Sequence, residues 1–565
     1  MITQTFGSFQ FELGGPMLGS YNYELARYFE SHMGWHYNLS GMNILVFLIC
    51  AEDPMILKDV WETQTNTEDV RILGDKVTTD FSNIRVNSDA STNIHNEEQV
   101  WVNPTNPQNL IAVWRDFRLG YRRIGIGVSN DEGTTWSDSL LVPGIEAWDS
   151  DPCLTVASDG TFYATALNFS PSGYEDSGYQ VYRSTDGGTS WEGPFTALYT
   201  PGAVYFEDKE MTTVDRTGGA RDGYMYISWT RFADYLSYCY ICCIRSTDRG
   251  QTWNSPVRVS SSDYTQWSVP CVGSDGTLYV AWVDLMNDYI YLDKSTDGGT
   301  SFGADDPLVN TNFGMGEING GIQTFSFPAM DADVTGGTYD GNLYIVYAGY
   351  NGSSRLDIYF MKSTNGGISW TSPLRINDDP TGNNRDQFHP WLFVDNTGVI
   401  HVAFYDRRDD PSNYYFNLYY TKSTDGGQTW APNRRVTSES SAPVEKAGLI
   451  GEYIGLTAWN GKPYIVWTDT REGHQKIYFG TDTTTSRVEE GYATKEPNLR
   501  ILNGQVAVGT IPEGNLFVYD ATGRLAMTCE VSGQFRVDLS GLGKGYYRVV
   551  LRTKDGQEDA GAFTR

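Results

Sequence analysis

The sequence predicts an all-β chain: a ring of repeated four-stranded units followed by a small, separate β domain. Three observations carry that reading. An octapeptide of the form Ser-x-Asp-x-Gly-x-(Ser/Thr)-Trp occurs six times, starting at Ser129, Ser184, Ser246, Ser295, Ser363 and Ser423. Around each copy, three strand-like runs precede the octapeptide and one follows it. The composition, with 60 Gly, 37 Tyr and 16 Trp in 565 residues, suits short strands joined by tight turns.

The octapeptide has a mechanical reading. Its Asp folds a carboxylate onto nearby backbone N–H groups, and its Gly supplies a positive φ for a tight turn. The Trp turns back to bury a large apolar face beside the strands. Two copies depart from the pattern: Asn365 stands for the Asp and Phe302 for the Trp. Asp131, Asp186, Asp248, Asp297, Asn365 and Asp425 are therefore expected to be structural.

In the sixth unit the four runs are Pro390–Asp395, Val399–Tyr405, Phe416–Lys422 and Arg434–Thr437. Hairpin signals join the first two runs of successive units: Ser158-Asp159-Gly160, Ser274-Asp275-Gly276, Asn396-Thr397-Gly398 and Asn460-Gly461. Units of roughly 50 to 68 residues with four strands each are the signature of propeller blades. After the sixth octapeptide come three more runs, Tyr453–Trp459, Lys462–Asp469 and Lys476–Asp482, with no seventh copy. Upstream stands a lone run, Asn83-Ile84-Arg85-Val86-Asn87, similar to the outer run Leu374-Arg375-Ile376-Asn377. The expected fold is thus a seven-bladed β-propeller in which this N-terminal strand completes the last blade; six blades is the alternative. Such closure removes exposed sheet edges.

Composition excludes some function classes. The net charge of -29 repels phosphate backbones, so no nucleic-acid partner is expected. Cys239, Cys242 and Cys243 sit close in sequence, but in the expected strand Tyr240–Ile244 the side chain of Cys242 faces away from the other two. They read as small buried side chains, and neither a metal nor a cofactor is expected. The longest apolar run, Ile44 to Ala51, is too short to cross a membrane as a helix. Residues 1–75 form a separate N-terminal segment, read as a misplaced start or a signal region that lacks the usual basic residues.

If each innermost strand runs from a top face downward, every octapeptide lies at the bottom, and the variable loops lie on top. Three second strands end in an Asp–Arg pair on that top face: Asp116 with Arg118, Asp406 with Arg408 and Asp469 with Arg471. The blades concerned are neighbours once the ring closes. Residues two apart in extended chain face the same way, so each pair can brace its own loop. The sharper reading is an arginine cluster that takes an anionic sugar by bidentate contacts. The innermost strands begin with Asp149 and Asp151, Asp208 and Glu210, Asp386 and His389, and Glu452 and Tyr453, which offers carboxylates for acid–base chemistry.

The octapeptide resembles the Asp box of the sialidase-like (BNR-repeat) β-propellers, and the resemblance covers roughly residues 76 to 485. It implies a glycan-directed glycoside hydrolase acting on anionic sugars, with a tyrosine nucleophile activated by a glutamate. Glu452, Tyr453 and Asp406 are the candidate catalytic residues. Arg118, Arg408, Arg471, Asp116 and Asp469 are the candidate substrate-binding residues. The Arg-Ile-Pro signature of the sialidases has no counterpart here; the nearest stretch, Ile84-Arg85-Val86, belongs to the expected closing strand.

After the propeller (residues 76–488) and a linker (residues 489–497), a compact unit of residues 498–565 is expected to be a small β-sandwich. Phe517-Val518-Tyr519-Asp520-Ala521-Thr522-Gly523-Arg524 and the run from Val537 to Val549 resemble the C-terminal sorting domain of type IX secretion cargo. That resemblance implies the type IX machinery as a partner and a secreted or outer-membrane, cell-surface location. A glycan or glycoprotein is the expected ligand, and the chain is expected to be a monomer. Two function classes follow: a secreted glycoside hydrolase, or a non-catalytic propeller that binds glycan or protein.

Overall fold

A computed structural model describes residues 2–6, 9–13, 77–171, 176–202, 205–234, 236–350, 352, 355–443, 450–484, 498–502, 506–521, 524–539, 541–553 and 558–564. The linker and most of the N-terminal segment, including the run from Ile44 to Ala51, lie outside the described residues. The chain divides into two compact units, Met1–Thr484 and Thr485–Arg565.

In the first unit the described residues hold seven four-stranded antiparallel sheets. Their innermost strands are His95–Asn103, Trp148–Val156, Tyr205–Val214, Thr265–Val272, Ala329–Ala332, Gln387–Val394 and Gly455–Trp459. Each packs against the next in chain order, and the last packs against the first, so the sheets form a closed radial array. The seventh sheet takes its outer strand from the N-terminal side: Ile84 pairs with Phe479 and Arg85 with Tyr478.

That closing strand repeats the outer-strand chemistry of the other sheets. The Val86 N–H donates to Ile477 O at 2.8 Å, and the Ile477 N–H donates to Asn87 Oδ1 at 3.0 Å. In the fifth sheet Ile376 donates to Ile358 O at 3.0 Å, and Ile358 donates to Asn377 Oδ1 at 2.9 Å. The Asn side chain extends the ladder by one bond after the strand has ended, which is why the two sequence runs look alike.

All six octapeptides fold as one turn. In the first, Ser129 Oγ donates to Asp131 Oδ1 at 2.8 Å, and the Thr135 N–H donates to the same oxygen at 2.8 Å. Thr135 Oγ1 closes the turn on Asp131 Oδ2 at 2.6 Å. Asn365 keeps the geometry by reversing one bond, donating from Nδ2 to Ser369 Oγ at 2.8 Å. The tryptophans pack outward from their own sheet onto the preceding one. Trp136 meets Phe479 of the seventh sheet at 5.2 Å, and Trp430 meets Phe360 of the fifth at 4.9 Å. The turn therefore staples neighbouring sheets as well as its own hairpin. Gly133, at φ +85, could not carry a side chain, because its Cβ would run into the Phe479 ring.

Cys239, Cys242 and Cys243 are buried free thiols. Their strand, Tyr238–Ser246, pairs with Met225–Ala233 in unbroken register, which turns Cys242 to the face opposite Cys239 and Cys243. The second unit is a single five-stranded hydrogen-bonded sheet rather than two separately bonded layers, with a register slip between Ile511 and Gly514 in its long strand Val506–Asp520. Its core gathers Leu516, Val518, Val549 and Leu551.

Candidate functional site

Five innermost strands break their ladder at the same place. Register slips fall between Asn96 and Gln99, Ser150 and Cys153, Asp208 and Met211, Gln266 and Val269, and Phe388 and Trp391. Within each slip one non-glycine residue has a left-handed backbone: Glu97 (φ 58), Asp151 (φ 49), Lys209 (φ 50), Trp267 (φ 54) and His389 (φ 46). Each such residue costs on the order of 1–3 kcal/mol, and bulges of this kind re-aim side chains. In the fifth and seventh sheets the same position, two residues before the first paired residues Ala329 and Gly455, is held by Phe327 and Tyr453.

These seven positions form a ring about the axis, at the start of the inner strands. One arc is aromatic. Trp267 lies 4.5 Å from Phe325, Phe325 stacks on His389 at 6.1 Å, and Phe327 meets Tyr453 at 6.4 Å. Phe325 belongs to an inserted hairpin, Met315–Ile318 with Ile322–Phe325, that packs onto this arc. Burial depresses the His389 imidazole to about 3, so it is neutral.

The other arc is ionic. Arg115 pairs with Glu97 at 2.9 Å. The Lys209 ammonium lies 3.6 Å from the centroid of the Tyr453 ring and 5.6 Å from that of Phe327. Burial alone would raise the Asp151 carboxyl, but Lys209 and a hydrogen bond with Glu97 hold it below the ordinary carboxylate range. The Tyr453 hydroxyl donates to Pro152 O at 3.1 Å, and burial pushes it well above its usual value. All four side chains are enclosed: Tyr453 is 1 % exposed and Asp151, the most accessible, 8 %.

The structure brings only one of the expected catalytic residues into this ring. Tyr453 lies within it, beside carboxylates from two other sheets, whereas Glu452 precedes it in the chain and occupies no ring position. Asp406 sits at the end of a second strand, where it accepts bonds from Arg408 and from Gln387 Nε2. Burial raises its carboxyl to about 6, with Arg408 opposing.

The three expected arginines act as braces. Arg118 binds Asp116 and Asp138, each at 2.6 Å. Arg408 binds Asp406 at 2.7 Å and reaches Asp378 and Asn433. Arg471 binds Asp469 at 2.7 Å, Ser438 Oγ at 3.0 Å and Asn83 Oδ1 at 2.9 Å. No two of them share a hydrogen-bond partner among the described residues. Nor is the brace confined to three sheets: in the third, Arg231 binds Glu207 at 2.6 Å, with the carboxylate supplied by the inner strand. Trp229 Nε1 donates to that carboxylate, as Trp114 does to Asp116 and Trp467 to Asp469.

Sequence reasoning placed Asp151 at an inner-strand start but missed Glu97 and Lys209. A usable signal was present in Asp151-Pro152, Phe327-Pro328 and His389-Pro390, the same dipeptide position in three units. A proline there removes a ladder donor where the strand bulges.

No family model matches the chain, and no curated protein matches it. Solved structures with a similar course include the α-L-arabinofuranosidase Arb93A of Fusarium graminearum, at 11 % identity and TM-score 0.42, covering 72 % of this chain and 98 % of that one. A Hadza microbial sialidase matches at 15 % identity and TM-score 0.39, covering 66 % and 74 %. A Dyadobacter fermentans protein of unknown function matches at 17 % and 0.38, covering 57 % and 93 %. The fold stands on its sheet topology; likenesses this distant carry no argument about activity.

Proposed function

We propose that the chain is a glycan-directed propeller protein, exported through its C-terminal unit, and that its chemistry centres on the axial ring. The observation that carries this reading is the meeting of Tyr453 with Glu97, Asp151 and Lys209, side chains from four different sheets, the last three on left-handed backbone. In a hydrolytic reading the Tyr453 oxygen attacks the anomeric carbon, as in glycosidases with a tyrosine nucleophile. Its raised proton affinity means that the proton leaves as attack proceeds. Asp151, kept ionised beside Lys209, is the base that takes it. Glu97 is committed to Arg115, so the leaving oxygen takes its proton from solvent.

A second reading, recognition without turnover, is favoured by the enclosure of these groups and by the small axial cavity beneath them, of about 70 Å³. Pockets that hold drug-sized ligands are roughly 300–1,000 Å³. A turnover screen on sialylated and uronic-acid glycans separates the two. Hydrolysis that falls by roughly 10²-fold or more in Tyr453→Phe and Asp151→Asn supports the first. Binding of those glycans with no product supports the second, and neither binding nor turnover overturns both.

A further inference from the structure

The axial channel continues below the ring, and its lower end differs in chemistry from its upper end. Counting two residues further along each inner strand, the inward positions pass through Gln99, Cys153, Met211 and Trp391 to Trp101, Thr213, Cys271, Asp331 and Phe393. Trp101 and Phe393 meet edge to face at 5.1 Å. Over them lies Arg216, two residues past the end of the third inner strand, its guanidinium 4.6 Å from the Trp101 ring and 6.0 Å from that of Phe393.

Arg216 is unlike the other arginines of the ring. Among the described residues it makes no hydrogen bond, and its one ion pair, to Asp331, is long at 3.9 Å. Asp331 is committed elsewhere: its two oxygens accept the Ala332 and Val394 N–H groups, each at 2.9 Å. Burial pushes the Asp331 carboxyl up and the Arg216 guanidinium down, so neither charge is well compensated by the other. The Arg216 side chain is 25 % exposed and lines the cavity. A guanidinium over an indole face still has N–H groups to offer a bidentate acceptor.

We propose that the lower end of the axial channel is a binding site for a small carboxylate anion, held by the Arg216 guanidinium where it stacks on Trp101. The size of the cavity sets the class. About 70 Å³ exceeds the roughly 10–15 Å³ that one water needs and falls below the roughly 150 Å³ of a cavity that takes benzene. A one- to three-carbon acid fits; a sugar ring does not. Trp391 and Met330 line the same space and suit the alkyl end of such an anion. The site is separate from the ring above it, and its occupancy does not depend on whether the protein acts on glycans. The chain's charge of -29 draws no anion from a distance, so affinity rests on the local fork, with an expected Kd of about 1 mM.

The test is calorimetric titration of the full chain with sodium acetate against sodium chloride at constant ionic strength, with benzoate as the oversized acid. Saturable 1:1 binding of acetate, absent for chloride and benzoate, is expected. Arg216→Met should abolish it, and Arg216→Lys, which keeps the charge without the fork, should weaken it by roughly tenfold, the worth of one charge-assisted hydrogen bond. No saturable acetate binding by the native chain overturns the proposal, as does undiminished binding by a folded Arg216→Met chain. If Arg216→Met does not fold, the Arg216→Lys titration decides: equal affinity overturns the bidentate fork.

Discussion

The Lys209 ammonium lies over the face of the Tyr453 ring, 3.6 Å from its centroid, which joins the third and seventh sheets across the axis of the molecule. Neither residue belongs to a neighbouring sheet of the other. The contact exists because both strands meet at the axis, and because the Lys209 backbone takes a left-handed turn there. The same ammonium compensates Asp151, so one cation serves a π face and a carboxylate together.

Removing it should therefore be costly. Lys209→Met leaves Asp151 enclosed without its cation, and breaking a buried pair from one side costs roughly 3–5 kcal/mol. The double change with Asp151→Asn should recover part of that loss. Urea unfolding of the single and double variants measures the coupling. Equal stability of Lys209→Met and the native chain would show that the pair contributes nothing.

Glu98 provides a pH test. Burial raises its carboxyl to about 8 in the folded chain, while Thr468 N–H and Oγ1 donate to it at 2.8 and 2.7 Å. Because the folded value lies above the unfolded value of 4.5, the folded state binds the extra proton. This group's contribution to stability is then greatest below pH 4.5, falls as pH rises toward 8 and is flat beyond, with a slope of at most about 1.4 kcal/mol per pH unit. Glu98→Gln imitates the protonated form, so it should be more stable than the native chain at pH 8 and lose this slope. Melting temperatures between pH 5 and 9, assigned roughly to that window, decide it.

The closing strand should matter more than its two residues suggest. A chain that begins at residue 89 lacks Ile84, Arg85 and the Asn83 and Asn87 side chains that bond Arg471 and Ile477. It exposes the edge formed by Lys476–Thr481 and should self-associate and melt lower than a chain that begins at residue 77. Light scattering and calorimetry of the two chains are the check; matching behaviour would mean that closure is dispensable.

The arginine braces should report on stability rather than on ligand. Arg408→Ala and Arg471→Ala are each expected to cost about 1.5–3 kcal/mol for every charge-assisted hydrogen bond that the substitution removes. Any glycan affinity in the folded variants should stay unchanged. A selective loss of glycan binding with stability intact would return these residues to the substrate-binding role implied by the sialidase resemblance.

The sequence alone determined the elements that depend on local chemistry. Six octapeptides specify six turns, since Ser, Asp and Thr side chains reach backbone groups only two to four residues away. The closing strand was legible because Ile84-Arg85-Val86-Asn87 must make the same ladder as Leu374-Arg375-Ile376-Asn377. The Asp–Arg pairs were visible too, because two residues in extended chain share a face.

What those pairs do was decided only by the folded structure. The second partners, Asp138, Asn433 and Asn83, come from outer strands or from the far end of the chain, and no spacing announces them. The ring is the stronger case. Glu97, Asp151, Lys209 and Tyr453 span residues 97 to 453 and have no common motif. They meet because radial symmetry brings equivalent positions of separate repeats to one axis, where contacts between sheets, such as that of Lys209 with Tyr453, replace sequence proximity.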